Sequence, residues 1–345
     1  MIGSRMKLGR LANALSLQEL ADALEDNGYR ITRAALSKYE TGKLVPGDPF
    51  LSALSSVLEL DRNFFFQEEP PAFGIQLFEE QELIPKQESE LMSHLQLRLE
   101  QHLMIDRILG LGAPPFEDPH FPLSPGTVQS DVENAAAALR EIFGNREQAI
   151  ASVTGMLESN GWYVFEIPSV FRIRTVSGIE TSSGRPFLAF SQAETVDTTR
   201  YRILRELSRA YFHPADQNLM REVSRRFSRA FLFPKSQVAL TCFSELTSSD
   251  YWSLTELKRR FGISKVQIRL RFRDLGLFGL PDSSVSQESV DRIQARKLQD
   301  SKLEPLYFYE IPVNFKLRVL EAQRKSLITR EEASFLLPRQ YTSIV

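Results

Sequence analysis

Apolar residues recur at helical spacing from the start of the chain. Leu8, Leu11, Ala12 and Leu15 form one stripe, and Leu17, Leu20, Ala21 and Leu24 form a second. Ser16 stands before the second stripe, with Glu19 three residues on, the pairing of a capping box; it predicts a helix over Leu17 to Leu24. Asn27-Gly28 supplies a turn. Thr32 is placed to cap a third helix, Arg33 to Tyr39, and Gly42 sits where a left-handed C-cap is wanted. A fourth helix, Phe50 to Leu60, closes a compact unit over residues 1–66.

The pattern changes over residues 67–128. Glu68-Glu69-Pro70-Pro71 reads as a linker. A long amphipathic stretch, Pro85 to Leu109, carries Leu91, Leu95, Leu99 and Leu103; it predicts a helix packed on its own domain or, alternatively, the seam of a dimer. Five prolines between Gly112 and Gly126 then break the helix. From Ser130 the chain alternates. Helices are expected over Val132 to Phe143 and Ala149 to Asn160, and strands over Trp162 to Ile167 and Pro186 to Phe190. Two more helices, Thr198 to Phe212 and Met220 to Phe233, precede a helix-turn-helix-like pattern over Leu254 to Phe278, with Gly262 at its turn. A last helix lies near Asn314 to Lys325. The expected fold is mostly α with a small α+β domain. It divides into residues 1–66, an acidic linker and long helix over 67–128, a body over 129–282, and a helical C-terminal extension over 283–345.

At 345 residues, 42% of them hydrophobic and 25% charged, the chain can build two or three cored units. No apolar run approaches the roughly 18 residues of a membrane span. Met1 to Arg10 lacks the apolar core of a signal peptide, so a cytoplasmic protein is expected. Cys242 is the single cysteine, which excludes an internal disulfide and a cysteine-based zinc cage. The net charge of −2 conceals an uneven distribution. Residues 1–66 hold eight basic and eight acidic side chains, residues 67–136 three and thirteen, and residues 137–345 thirty-one and twenty-three. Exposed charges are screened beyond about 10 Å at 0.1 M salt, so the local patches matter more than the total.

A helix that reads DNA bases needs an apolar face for its partner helix and short or polar residues near its N-terminus. Ala35, Leu36 and Tyr39 supply the first; Thr32, Arg33 and Ala34, with Ser37 and Lys38 further along, supply the second. Arg33 suits guanine O6 and N7, while Gln18 and Lys43 are placed for phosphates. Arg30 to Lys43 holds four basic residues and one acidic. Ser16-Leu17-Gln18-Glu19-Leu20-Ala21, Ala35 to Lys43 and Pro46 together resemble the Cro/C1-type (XRE) helix-turn-helix family over residues 5–66. The turn from Glu25 to Ile31 is longer than that family's. The resemblance implies a duplex operator, palindromic and bound by a homodimer. A helical protein-binding module is the alternative.

Arg200 to Pro214, Arg221 to Pro234, Leu257 to Ser264 and Arg271 to Leu277 resemble the zinc metallopeptidase-like ImmA/IrrE family over roughly 130–280. Glu310-Ile311-Pro312 and Glu331-Glu332-Ala333 resemble the C-terminal extension of regulators that fuse the two modules. The departure from that family is specific. Where H-E-x-x-H is expected stands Arg205-Glu206-Leu207-Ser208-Arg209. Arginine stays protonated and offers a metal no lone pair. Glu206 keeps the general-base position without an activated water to act on. The expected carboxylate ligand falls at Arg221, and Glu222, one residue on, is turned by about 100°. His213 is expected to be a partly buried cap, and His94, His102 and His120 to be surface or interface residues. No catalytic residue, metal or cofactor is expected.

Arg202, Arg205 and Arg209 share one helix side, opposite Ile203, Leu207 and Ala210. With Glu206 and Arg225 they form a candidate anion cleft for a nucleotide, a phosphate or single-stranded nucleic acid, because guanidinium forks suit phosphate. The bland alternative closes the dead site with salt bridges to Glu206, Glu222, Asp216 or the acidic segment. Lys265, Arg269 and Arg273 suggest a second DNA contact, but the apolar residues Val266, Ile268, Leu270 and Phe272 between them favour a core role. The expected function is a sequence-specific transcriptional regulator whose peptidase-like body serves as sensor and dimerisation module. A metallopeptidase acting on a partner repressor and an antitoxin-like protein-binding module are the alternatives.

Overall fold

The computed structural model describes residues 2–68, 73–78, 82–112, 116–124, 126–240, 251–277 and 310–337. Cys242, Glu69 to Pro71 of the expected linker, and the stretch from Phe278 to Tyr309 lie outside them. The first unit comprises α1 (Ile2–Ala12), α2 (Leu17–Asp26), α3 (Arg33–Glu40), α4 (Asp48–Leu58) and a 3-10 turn (Arg62–Phe66). Both halves of the Ser16/Glu19 capping box form, at 3.2 and 2.7 Å, and the Thr32 hydroxyl accepts from the Ala35 amide at 3.2 Å. Met6, Leu20, Leu24, Leu36, Phe50, Leu54 and Phe65 make the core. The long turn after α2 closes on itself: the Tyr29 amide returns to the Leu24 carbonyl at 2.8 Å, and the Tyr29 ring meets Phe50 at 5.5 Å.

The long helix α5 (Pro85–Leu109) has the predicted bounds and three separate apolar contacts. Leu97 enters the core of the first unit. Leu91, Leu95 and Leu99 pack on the sheet. Ile105 packs on the C-terminal helices α13 (Asn314–Arg324) and α14 (Arg330–Leu336). The leucine row is therefore consumed within the chain, each of Leu91, Leu95 and Leu99 being 1% exposed or less, and it makes no dimer seam. Polar contacts fix the first unit to the same helix. Arg5 pairs with Glu100 at 2.7 Å, and His94 Nδ1 donates to the Ala12 carbonyl at 3.0 Å.

Four strands, β1 (Ile75–Leu77), β2 (Tyr163–Glu166), β3 (Thr175–Glu180) and β4 (Arg185–Phe190), form a mixed sheet in the order β1-β3-β4-β2. β2 runs parallel to β4; the other pairs are antiparallel. The segment read as a linker thus supplies an edge strand. Gly178 permits it, since a Cβ there would lie 2.2 Å from the Gln76 carbonyl oxygen. The remaining helices are α6 (Val128–Ile142), α7 (Val153–Ser159), α8 (Val196–Leu207, continued by a 3-10 turn over Ser208–Ala210), α9 (Gln217–Leu232), α10 (Lys235–Leu240), α11 (Tyr251–Phe261) and α12 (Lys265–Asp274). α7 starts later than its apolar pattern predicts because Ser152 caps it, while the Glu310 carboxylate accepts from the Val153 and Thr154 amides at 3.0 and 2.8 Å.

Three arginines are interior ties. Arg140 reaches the Phe231, Arg146 and Gln148 carbonyls. Arg200 pairs with Glu310 at 2.6 Å. Arg271 holds Glu133 and the Phe233 carbonyl. In α12, Ile268 and Phe272 are buried, the core role the apolar spacing favours. Among the described residues no helix is long and apolar enough to cross a membrane.

Candidate functional site

Two surfaces carry the residues singled out by sequence. On the first unit, Gln18, Thr32, Arg33, Ala34, Lys38 and Lys43 are exposed and Ser37 is half-buried, while Leu36 is fully buried beneath them. The helix is oriented from below. Glu40 is bound by the Arg10 guanidinium at 2.6 and 2.8 Å, and Tyr39 stacks on Phe50 with ring centroids 4.8 Å apart. Gly3 of α1 lets that helix approach, since a Cβ would lie 2.4 Å from the Tyr39 carbonyl. Sequence assigned Glu40 no task. Arg30 pairs with Glu25 across the turn at 2.7 Å, so it adds less to the local positive charge than the residue count implies. Gln18 donates to Asp22 at 2.8 Å.

The second surface is a cleft of about 960 Å³ between the start of β3, the end of α8 and the start of α9. Arg202, Arg205, Glu206 and Arg209 line it as expected, and Arg172, Arg174 and Arg221 join them. Arg172 and Arg174 lie about thirty residues upstream of Arg202 and Arg205, so only the fold brings them in. Arg225 does not line this cleft. One turn along α9 from Arg221, it faces an adjoining cleft of about 560 Å³ with Tyr201, Glu222, Arg226, Arg229 and Arg273, and Arg205 lines both.

Glu206 is buried, and its oxygens are taken. It accepts from Thr175 and Ser177 on β3 at 2.9 Å each, and from Arg209 at 3.1 Å. Arg226 holds Glu222 at 2.9 Å, and Arg229 holds Asp274 at 2.5 Å. Salt bridges thus account for part of the arginine cluster. Among the described residues, Arg202, Arg205, Arg221 and Arg225 form none. The Arg205 Nε is buried without a hydrogen-bond partner. Burial, then the neighbouring Arg209 and Arg225 charges, holds the Arg205 guanidinium below its ordinary pKa, against the opposing pull of Tyr201 and Glu206. Burial and Arg174 do the same to Arg202. Like charges crowded around an open cleft favour an anion that neutralises them.

The histidines depart from expectation. His94 and His102 are buried, not on the surface, because their rings pack against Phe171 and against Tyr163, Phe165 and Phe315. His213 is exposed and is not a cap; its Nε2 meets Asp118 at 2.8 Å, and its ring stacks on His120 at 5.7 Å. Asp118, His120 and His213 offer three ligand atoms within 4.8 Å of one another, on the surface and apart from the residues that line the arginine cleft. Comparison of the chain with protein-family models, curated proteins and solved structures finds no match.

Proposed function

We propose that the chain is a DNA-binding transcriptional regulator, of the kind that its resemblance to fused XRE and ImmA/IrrE-type proteins implies. The observation that carries this reading is α3. Thr32, Arg33, Ala34 and Lys38 are presented to solvent above a buried Leu36, on a helix held in place through Glu40. That is the arrangement a recognition helix needs to enter a major groove. As a homodimer, the protein would meet two half-sites roughly 34–36 Å apart.

The body acts in this reading as a sensor. Guanidiniums at positions 205 and 209 repel a cation, and Glu206 is engaged by three hydrogen bonds instead of a metal-bound water. The unpaired arginines favour a nucleotide, a phosphate or single-stranded nucleic acid in the cleft. Binding there shifts operator affinity only if it favours one arrangement of the chain over another.

Genome-wide mapping of binding sites with and without DNA damage tests the reading. Recovery of a shared palindromic sequence, lost in Arg33→Ala, supports it; no reproducible site in either condition refutes it. Elemental analysis tests the sensor role. Stoichiometric zinc that persists in His213→Ala would restore the peptidase reading.

A further inference from the structure

A pocket of about 620 Å³ lies between α5, β2 and the start of α13, apart from both surfaces described above. Three side chains reach it from one row of α5. His94, Arg98 and His102 follow one another at four-residue spacing, which stacks them on a single helix face. The opposite walls are mainly apolar, with Val164, Phe165, Ile167, Pro312, Phe315 and Leu337, and carry Glu166, Gln192 and Lys316 among them. A concave, largely apolar pocket with a few convergent polar groups is the usual form of a small-molecule site.

Those nitrogen groups are not all used. His102 sits among the Tyr163, Phe165 and Phe315 rings at 4.8, 5.8 and 4.5 Å, and its Nε2 is buried without a hydrogen-bond partner. His94 donates its Nδ1 hydrogen to the Ala12 carbonyl, and its buried Nε2 makes no well-formed hydrogen bond, with the Glu166 backbone as a neighbour of the ring. Buried polar atoms are nearly always satisfied, by protein, water or ligand. Arg98 donates to Gln101 at 2.9 Å and lies 5.4 Å from the Phe315 ring centroid, with no ion pair among the described residues. Glu166 is the acidic side chain on the pocket wall; Gln192 donates to it at 2.8 Å, and its charge acts on Arg98 from beyond ion-pair distance.

We propose that this pocket binds a small amphipathic carboxylic acid, its apolar body against Val164, Phe165 and Phe315 and its carboxylate on Arg98 beside the His102 Nε2. A carboxylate adds a charged acceptor to the neutral one Arg98 has in Gln101, and a guanidinium binds it through two parallel hydrogen bonds. The apolar walls take the body at the expense of water. Through His94 the bound molecule lies one side chain from α1 of the first unit, since the same imidazole lines the pocket and holds the Ala12 carbonyl. Binding is therefore placed to bear on the DNA-reading unit. The site itself does not depend on that unit's function.

The test is titration calorimetry of the full chain with decanoate, phenylpropionate and the uncharged control decanol. The expected result is saturable binding of at least one acid, with a dissociation constant below about 1 mM and at least about tenfold tighter than decanol. Arg98→Met removes that preference, and Ile311→Trp, at a partly exposed position on the wall, blocks acid and alcohol alike. Acids that bind no better than decanol to the unaltered chain overturn the proposal, whatever the variants do. An acid affinity unchanged in a folded Arg98→Met overturns it as well.

Discussion

The tie between Arg10 and Glu40 offers a sharp test of how α3 is held. The two side chains are 8% and 7% exposed and meet through two hydrogen bonds of 2.6 and 2.8 Å. Removing one member of such a pair leaves the other charge buried and uncompensated, which costs about 3–5 kcal/mol. Here Arg10 keeps one bond, to the Leu15 carbonyl at 2.7 Å, so the lower end of that range applies. Glu40→Ala is therefore expected to lower the opening free energy of α3 by about 3 kcal/mol. Replacing both partners, with Arg10→Met and Glu40→Leu, exchanges the pair for apolar contacts and is expected to restore most of the loss. Native-state hydrogen exchange of the α3 amides reads this local opening without requiring the whole chain to unfold in one step. DNA affinity should fall in Glu40→Ala and recover in the double variant, although neither residue lies on the exposed face. A single-variant loss under about 1 kcal/mol, or a double variant as unstable as Glu40→Ala, would refute the reasoning.

Other consequences can be measured separately. Arg33→Ala should weaken specific duplex binding by about 1–3 kcal/mol and relax preference at one base position, read by anisotropy against single-base operator variants. Lys43→Ala should weaken all sequences alike and lower the slope of log affinity against log salt by about 1; an unchanged slope counts against phosphate contact. Pyrophosphate should raise the melting temperature of the unaltered protein and leave that of Arg202→Gln/Arg205→Gln unmoved, and equal shifts would exclude the arginine cleft as the anion site. Burial, with Arg98 nearby, pulls the His94 pKa down to about 4, so the folded chain keeps it neutral while the unfolded chain protonates near 6.5. Stability should then fall as pH drops from about 6.5 towards 4, by about 3 kcal/mol from this residue, and His94→Gln should flatten that part of the profile in urea titrations.

Much of the helical framework was legible because its signals are local. Ser16 with Glu19, and Thr32 before Arg33, mark helix starts through bonds spanning three residues, and both form. The Pro85 to Leu109 pattern was legible for its length. Which partner it meets was not, since one helix row serves three clusters and periodicity records only burial. β1 and β3 escaped notice for related reasons: β1 is three residues long, and β3 carries Ser177 and Gly178 where alternation would want bulk. Ser177 is there for Glu206 and Gly178 for the Gln76 backbone, both non-local demands. The arginine cluster was visible as composition, yet its division was not. Arg200 and Arg229 are buried and paired, Arg225 faces a neighbouring cleft, and Arg172 and Arg174 arrive from another element. The row of His94, Arg98 and His102 was present in the spacing, but it was hidden among leucines that carry the stronger signal.

The use made of α5 has a practical outcome for anyone dissecting this protein. At 25 residues the helix is about 37 Å long, and the first unit, the sheet and the C-terminal helices each rest a different part of their interior on it. A fragment cut at the end of the first unit would leave the Leu97 socket open to water and Arg5 without its counterion. A fragment lacking the last helices would strip Ile105. The three parts are not exchangeable modules joined by string, and any recombinant piece or chimera that parts one of them from this helix uncovers a stretch of its buried row.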